Sequence, residues 1–423
     1  MQVTLRAGAL AVLLTLAAPA GLLASEALPG ADLQTLLTLA KAGNPEYASM
    51  RFEAQAATER IAPAGALPDP KFRTEWMDIT KGDTQNPTLW PSGVGSTRYT
   101  VMQDLPWFGK RDLKREVARL DADGSQARAQ GTWLMLAAGI KTLQAQRVYL
   151  RGSTQLTQEI LSLMASLEQL AQSRYAGGLA AQQDVIRAQS EQTTMRSELV
   201  MLESEQRQVE ARLNALLARH ANAALAAPGP LRPLPVPAQL EPATLEQRVR
   251  AGNPQLFAEE ARIQAAEKSR DLSLKNRYPD FTLSVTPTQV QTAVKEWSLM
   301  LEVTIPLQQS SRRAMEREAE AMLAAARARK EAAANQLLTE LAQNLAAIDA
   351  ARRTEALASS SLLPQAQLTF SSALASYENG KLDFATLLDA QRQIRQARQN
   401  QIKAQWEGQM RLAEIEKLLG EDL

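Results

Sequence analysis

The sequence predicts a mostly α-helical fold with a membrane β-barrel, built from two equivalent halves that each join a β-hairpin to a long antiparallel coiled-coil hairpin. Three observations predict it: an internal repeat of about 200 residues, long helical stretches, and short segments whose apolar residues alternate strictly. The aromatic residues (six Trp, six Tyr and seven Phe in 423 residues) are too few for ordinary globular cores, which favours long helices.

The composition excludes several classes of function. The absence of cysteine excludes disulfides, thiolate metal sites and cysteine nucleophiles. A single histidine, His220, argues against a histidine metal site or a Ser/His/Asp triad, and we interpret it as a packing or surface residue. Lys plus Arg (47) balance Asp plus Glu (46), so nucleic acid is not an expected partner. Because no nucleophile constellation or phosphate loop is present, we expect neither enzymatic activity nor a cofactor.

The N-terminus has the pattern of a secretory signal peptide, which we place at residues 1–24. Arg6 precedes an apolar stretch that ends in small residues. A retained membrane anchor is the alternative, but Pro19 and Gly21 interrupt the stretch. No other segment approaches the ~20 apolar residues that a spanning helix needs.

The rest of the chain repeats itself once. Ala-Gly-Asn-Pro occurs at 42–45 and again at 251–254. A period this long indicates a duplicated domain rather than a short solenoid repeat. We therefore divide the chain into a first repeat at 25–225, a proline-rich linker at 226–243 and a second repeat at 244–423.

Each repeat contains a predicted helical hairpin. The first spans about 109–220 with its tip near 175–180, and the second spans about 309–420 with its tip near 377–382. Apolar residues in the first hairpin step by four and three, the spacing of a coiled-coil seam. Glycines at the tips indicate turns, so the helices of each hairpin are antiparallel. Pro364 should bend the second long helix or mark a change of packing.

Each repeat also contains a predicted β-hairpin, at about 70–106 and 279–306. Leu299, Leu301 and Val303 alternate with polar residues, the pattern of a strand with one apolar face. A soluble sheet packed on helices is the alternative. Aromatic residues near the strand ends favour a membrane barrel with an apolar outer face. The predicted membrane-interface aromatics are Phe72, Trp76, Tyr99, Trp107, Phe281 and Trp297. Four strands cannot close a barrel, so several copies must pool their strands, and three would give twelve.

Three motifs carry a family resemblance: QDLPWFGKR at 103–111, RYAGGLAAQQDVIRAQ at 174–189 and SYENGKLDFATLLDAQ at 376–391. With the signal peptide and the duplication, they resemble the TolC family of outer-membrane efflux channels. The resemblance implies a homotrimer with a twelve-stranded β-barrel in outer-membrane lipid on a twelve-helix periplasmic α-barrel. It also implies docking to a periplasmic membrane-fusion adaptor and an inner-membrane RND-type pump. WFGKR and the compact length look most like the heavy-metal (Cus/Czc-type) members, which implies a passive duct for metal cations.

The resemblance also assigns roles to residues. The adaptor-docking tips fall on Tyr175, Gly178, Leu179, Tyr377, Gly380 and Lys381. Asp184 and Asp389 fall on acidic positions that constrict the pore entrance; a solvated helix charge is the alternative for each. The chain departs from the drug-exporting prototype at Leu382, where an arginine helps to latch the gate, and at Thr386, another acidic position. The gate is therefore expected to close differently or to need less opening.

The metal chemistry rests on methionines, and other functions stay open. Met77, Met102 and Met300 fall on the predicted lumen face of their strands, and thioethers suit Cu(I) or Ag(I). The alternative is that they fill space in a narrow barrel. Drug or small-molecule efflux, or a type I secretion channel, remains an alternative to metal export. A second alternative is a soluble periplasmic coiled-coil adaptor or scaffold.

Overall fold

The computed structural model describes residues 28–81 and 88–423, and the predicted signal peptide lies outside this part of the chain. The first half runs through three helices, two strands and two long helices. These are α1 (Leu33–Gly43), α2 (Pro45–Glu59), α3 (Ile61–Ala64), β1 (Lys71–Met77), β2 (Ser96–Leu105), α4 (Lys110–Ala176) and α5 (Gln182–Leu216).

The second half repeats this order without a counterpart of α3. It comprises a 3₁₀ turn (Pro237–Leu240), α6 (Pro242–Gly252), α7 (Pro254–Lys275), β3 (Asp280–Val290), β4 (Ala293–Thr304), α8 (Gln309–Leu357), a π-helical turn (Ala358–Leu362), α9 (Leu363–Glu378) and α10 (Phe384–Leu419). Among the described residues, no helix combines the length and the apolar character that crossing a membrane requires.

The four strands form one antiparallel sheet in the order β1-β2-β3-β4. The hairpin of the first half is therefore joined to that of the second through β2 and β3, with Val101 opposite Val285. Val285 also lies opposite Leu299 on β4. The register therefore keeps apolar residues opposite apolar residues. The sheet consequently has one apolar and one polar face.

The long helices form a wall about 100 Å tall, since α4 alone has 67 residues. Toward the sheet, α4 packs between α2 and α7; toward the far end it packs between α5 and α10. The carboxyl end of α5 meets the start of α2, and the carboxyl end of α10 meets the start of α7. Helix α2 thus extends the line of α5, and α7 extends the line of α10.

The repeated Ala-Gly-Asn-Pro motif makes these helix junctions. Asn44 caps α2 by accepting a hydrogen bond from the backbone N–H of Tyr47 at 2.9 Å, and it donates to the carbonyl of Leu216 at 2.9 Å. Asn253 caps α7 in the same way and donates to the carbonyl of Leu418 at 2.9 Å. One side chain therefore satisfies the orphan groups of two helix ends.

In the described part of the chain, three apolar clusters hold the wall. Two are equivalent and lie at the helix junctions, where α1 packs Leu36 on Ile140 and α6 packs Leu245 on Leu341. The third lies at the hairpin tips and draws on both halves, from Leu156 on α4 to Phe384 and Leu387 on α10. The tip cluster therefore fixes one hairpin against the other.

Pro364 marks the predicted irregularity in the second long helix. The π-helical turn Ala358–Leu362 lies directly before it. Proline has no N–H to bond the carbonyl four residues earlier, so the preceding turn loses its regular ladder. Within this stretch the hydroxyl of Ser359 donates to the carbonyl of Glu355 at 2.9 Å.

Candidate functional site

Strands β2 and β3 expose their apolar face and shield most of their polar face, the reverse of a sheet packed on a soluble core, whereas β4 is exposed on both faces. Leu299 is 72% exposed and Leu301 is 63% exposed. On the opposite face Thr100 is 9% exposed and Ser284 is 2% exposed. A surface of this kind is stable when the medium around it is itself apolar.

Aromatic residues lie toward both ends of the apolar face. At the end nearer the helices, Trp107 stacks on Phe281 with ring centroids 5.7 Å apart. Tyr99 lies toward the other end, in the same cross-strand row as Trp297, and Trp76 lies one row further out. Phe281 and this row are six residues apart, which corresponds to roughly 20 Å along a strand. Aliphatic side chains fill the space between.

Phe72 differs from the other predicted interface aromatics because it lies opposite Val101, between the two aromatic rows. It is 67% exposed and stacks on Tyr99 with centroids 6.4 Å apart. It therefore belongs to the interior of the apolar band rather than to its border.

The polar face carries hydrogen-bonded charges and two of the predicted methionines. Lys71 and Asp104 form an ion pair at 2.7 Å. Met102 and Met300 lie in one cross-strand row with Ser284 between them, about 10 Å apart for two strand spacings. Met77 is opposite Ser96, six residues along the strand from Met102, so the structure does not bring it to the same place.

The outer strands β1 and β4 each pair with one neighbour in the described chain. Every residue of β4 is exposed. A strand with free N–H and C=O groups beside an apolar face requires another strand when it lies in lipid.

The two hairpin tips are built by the same turn. After α4, the N–H of Gly178 donates to the carbonyl of Tyr175 at 2.9 Å, and the N–H of Leu179 donates to that of Arg174 at 2.8 Å. Gly380 and Lys381 repeat this pattern after α9. It is a Schellman motif, which needs a left-handed residue. The φ angles of +72° at Gly178 and +69° at Gly380 confirm the predicted requirement for glycine.

The tip residues differ in what they expose. Leu179 is 70% exposed and Tyr175 is 47% exposed; Gly178, Gly380 and Lys381 are also exposed. Tyr377, which occupies the position equivalent to Tyr175, is only 3% exposed and packs on Phe384 with ring centroids 5.3 Å apart. Its side chain therefore supports the turn and offers little surface to a partner.

The two predicted constriction carboxylates have different surroundings. Asp184 lies in the first turn of α5, beside the buried ring of Tyr377. Burial, and then the charge of Asp184, raise the pKa of the Tyr377 hydroxyl. Asp389 is exposed and is paired with Arg392 at 3.1 Å, which offsets part of its charge. The structure places both near the tip end of the wall.

Two arginines at this end were not predicted from the sequence. Arg174, from the first tip, contacts Tyr377 and the carbonyl of Glu378 in the second. Arg392, on α10, reaches Glu191 on α5. The signal for Arg174 was an asymmetry between the repeats, because the equivalent position before Tyr377 is a serine.

Metal ligands of the usual kinds do not converge here. Across residues 28–81 and 88–423, no group of three or more His, Cys, Asp or Glu side chains is arranged to hold a metal ion. His220 instead accepts a hydrogen bond from the backbone N–H of Asn222 at 3.3 Å, within its own turn.

The fold defines a class of proteins in which two copies of a β-hairpin and a long helical hairpin alternate in one chain. The chain belongs to the outer membrane efflux protein family, whose model matches residues 36–219 and 245–421. The two matched segments correspond to the two structural halves.

Solved structures with the same fold include several channels. The outer-membrane channel OprN is 21% identical with a TM-score of 0.78, covering 92% of this chain and 89% of its own. CusC is 17% identical with a TM-score of 0.80 and covers 92% of each chain. VceC from Vibrio cholerae is 16% identical with a TM-score of 0.78, covering 92% of this chain and 96% of its own. A search of curated proteins finds no match.

Proposed function

We propose that this protein is the outer-membrane channel of a tripartite efflux system, a passive trimeric duct that works with a periplasmic adaptor and an RND-type pump. The observation that carries the proposal is the inverted sheet, whose apolar face is exposed between two aromatic rows. Family membership and the fold shared with OprN and CusC support the same conclusion.

The incomplete sheet supports the proposed trimer. Because β1 and β4 each lack a second neighbour in the described chain, copies joined β4 to β1 would satisfy both edges. Three copies give twelve strands and, from the four-helix wall of each chain, a twelve-helix barrel below. Such a barrel sits in the outer membrane while the helices extend into the periplasm, since the wall is far longer than a bilayer is thick.

The adaptor would dock at the exposed tip surface. Leu179 and Tyr175 present apolar area there, beside the exposed Gly178, Gly380 and Lys381. Tyr377 supports this surface from below. Asp184 and Asp389 would ring the entrance in a trimer, where like charges favour the passage of cations.

We infer heavy-metal cations as the cargo, with drugs as the competing cargo. Met102 and Met300 support the metal because both lie in one row of the polar face, where thioethers suit Cu(I) or Ag(I). The fold shared with CusC is compatible with it.

The test combines purified protein and cells. The detergent-solubilised protein should have the mass of three chains and should give uniform conductance steps in a planar bilayer. Deletion of its gene should sensitise cells to copper, silver, zinc, cobalt or cadmium salts. A soluble monomer without conductance would overturn the channel proposal, while drug sensitivity with unchanged metal tolerance would overturn only the metal cargo.

A further inference from the structure

The side chain of Arg174 lies between the two hairpin tips of one chain. Its guanidinium carbon is 5.0 Å from the centre of the Tyr377 ring. Its Nη1 donates to the carbonyl of Glu378, and its Nη2 donates to the carbonyl of Leu179 at 3.4 Å. The shorter of the two hydrogen bonds therefore runs from the first hairpin to the second.

An arginine at the carboxyl end of a helix ordinarily donates hydrogen bonds to the last carbonyls of that same helix. Arg174 departs from this pattern, because its contact with its own turn is the long one. The second tip also leaves room for the guanidinium: a Cβ added at Gly380 would come within 3.2 Å of Nη2. Gly380 thus has two effects: its left-handed backbone allows the turn, and its lack of a side chain leaves space for the guanidinium of Arg174.

The contact combines two favourable terms at one place. The planar guanidinium faces an aromatic ring that is only 3% exposed, which strengthens a cation–π interaction relative to an exposed one. The bond to the Glu378 carbonyl is charge-assisted. The charge of Asp184 also acts on this ring, because it raises the pKa of the Tyr377 hydroxyl after the larger effect of burial.

Further up the wall, the two hairpins are joined by other arginines. Arg395 on α10 pairs with Glu198 on α5 at 3.2 Å. This pair is partly buried, with 27% of each side chain exposed. The contact at the tips differs in kind, because Arg174 joins an aromatic ring and a backbone carbonyl rather than a carboxylate.

We propose that Arg174 is a positioning residue that fastens the second hairpin tip to the first and so sets how far the two tips can separate. The inference rests on the proposed duct, whose entrance the tips would form. In that setting the arginine acts through Tyr377 and the backbone of Glu378, without contacting the cargo. Loss of a partly buried cation–π contact together with a charge-assisted hydrogen bond shifts an equilibrium roughly ten- to hundredfold.

The chain has no cysteine, so the distance between the tips can be measured directly. Two exposed tip positions, Leu179 and Lys381, are replaced by cysteine and spin-labelled in the full-length protein, mixed with excess unlabelled chain so that one trimer carries one labelled pair. Pulsed electron paramagnetic resonance then gives the distribution of distances in the parent, in Arg174→Ala and in Arg174→Lys. Arg207→Ala is the matched control, because Arg207 is an exposed arginine on α5 that pairs within its own helix with Glu203 at 3.5 Å.

The expected result is a population of separated tips that rises roughly ten- to hundredfold in Arg174→Ala, partly in Arg174→Lys and not in Arg207→Ala. The open fraction in single-channel recordings should rise in the same order. An unchanged distance distribution in Arg174→Ala would overturn the inference; if that variant fails to assemble, an unchanged distribution in Arg174→Lys would do so. Separated tips in a protein whose parent conducts no ions would support the fastening role and overturn the duct.

Discussion

Asn253 offers a sharp test of how the helical wall is continued across its junctions. Its side-chain oxygen accepts from the N–H groups of Gln255 at 2.9 Å and Leu256 at 3.3 Å. Its side-chain nitrogen donates to the carbonyl of Leu418 at 2.9 Å. Asn253→Ala removes both functions, whereas Asn253→Ser keeps a capping oxygen and removes only the donor.

The magnitude follows from these two functions. Loss of an N-cap costs about 1 kcal/mol. Leu418 is 2% exposed, so its carbonyl would be left buried without a partner at a cost of about 1–3 kcal/mol. We therefore expect Asn253→Ala to destabilise the junction by about 2–4 kcal/mol. Asn253→Ser should destabilise it only by the cost of the unpartnered Leu418 carbonyl, about 1–3 kcal/mol.

Hydrogen exchange followed by mass spectrometry measures this locally in the assembled protein. Amides in the first turns of α7 and the last turns of α10 should exchange roughly 30- to 700-fold faster in Asn253→Ala. Asp32→Ala is the matched control, because Asp32 caps α1 from an exposed position by accepting from the N–H of Thr35 at 2.9 Å. Its effect should stay within α1 and near tenfold or less.

The two asparagine variants separate the explanations. If Asn253→Ser leaves exchange at α10 as slow as in the parent, the bond to Leu418 does not join the helices. If Asn253→Ala affects α7 alone, the residue is an ordinary cap. Either result would refute the account of the junction.

Two further predictions concern acid stability and cargo. Two hydrogen bonds from Arg277, one of them from Nε at 2.5 Å, lower the pKa of the Glu316 carboxyl below its usual 4.5. The stabilisation of the fold by the ionised Glu316 is therefore present above about pH 4.5 and is lost as pH falls through the lowered pKa. Thermal midpoints measured from pH 6 to 3 should fall more steeply in the parent than in Glu316→Gln, and parallel curves would contradict this. For the cargo, the double variant Met102→Leu with Met300→Leu should lower cellular copper or silver tolerance. Met77→Leu, at the other end of the strands, should not lower it. Equal tolerance in the parent and both variants would show that these methionines do not act in the transport path.

Periodicity predicted the elements of the fold better than their connections. The hairpin predicted at 70–106 contains strands at Lys71–Met77 and Ser96–Leu105, because alternation of apolar residues reports directly on a half-exposed strand. The sequence also showed the repeated Ala-Gly-Asn-Pro motif. It did not show that Asn44 reaches Leu216, because that bond joins residues 172 positions apart.

The candidate site was predictable where the backbone decides it. Gly178 and Gly380 could be assigned to left-handed turn positions, since few other residues adopt them. Tyr175 and Tyr377 could not be distinguished, because their local motifs are the same. Tyr377 is buried because Phe384 packs on its ring and Arg174 of the first tip lies over it, and the second of these contacts joins the two halves, which no local pattern contains.

The central claim, that several copies close one barrel through their free strand edges, is tested most directly by cross-linking those edges. In this cysteine-free chain, Thr74→Cys on β1 is combined in turn with Trp297→Cys, Leu299→Cys or Leu301→Cys on β4, all on the apolar face. Oxidation in membranes should give covalent trimers on a denaturing gel for at least one pair. Monomers alone with every pair, in membranes that retain the protein, would contradict the account.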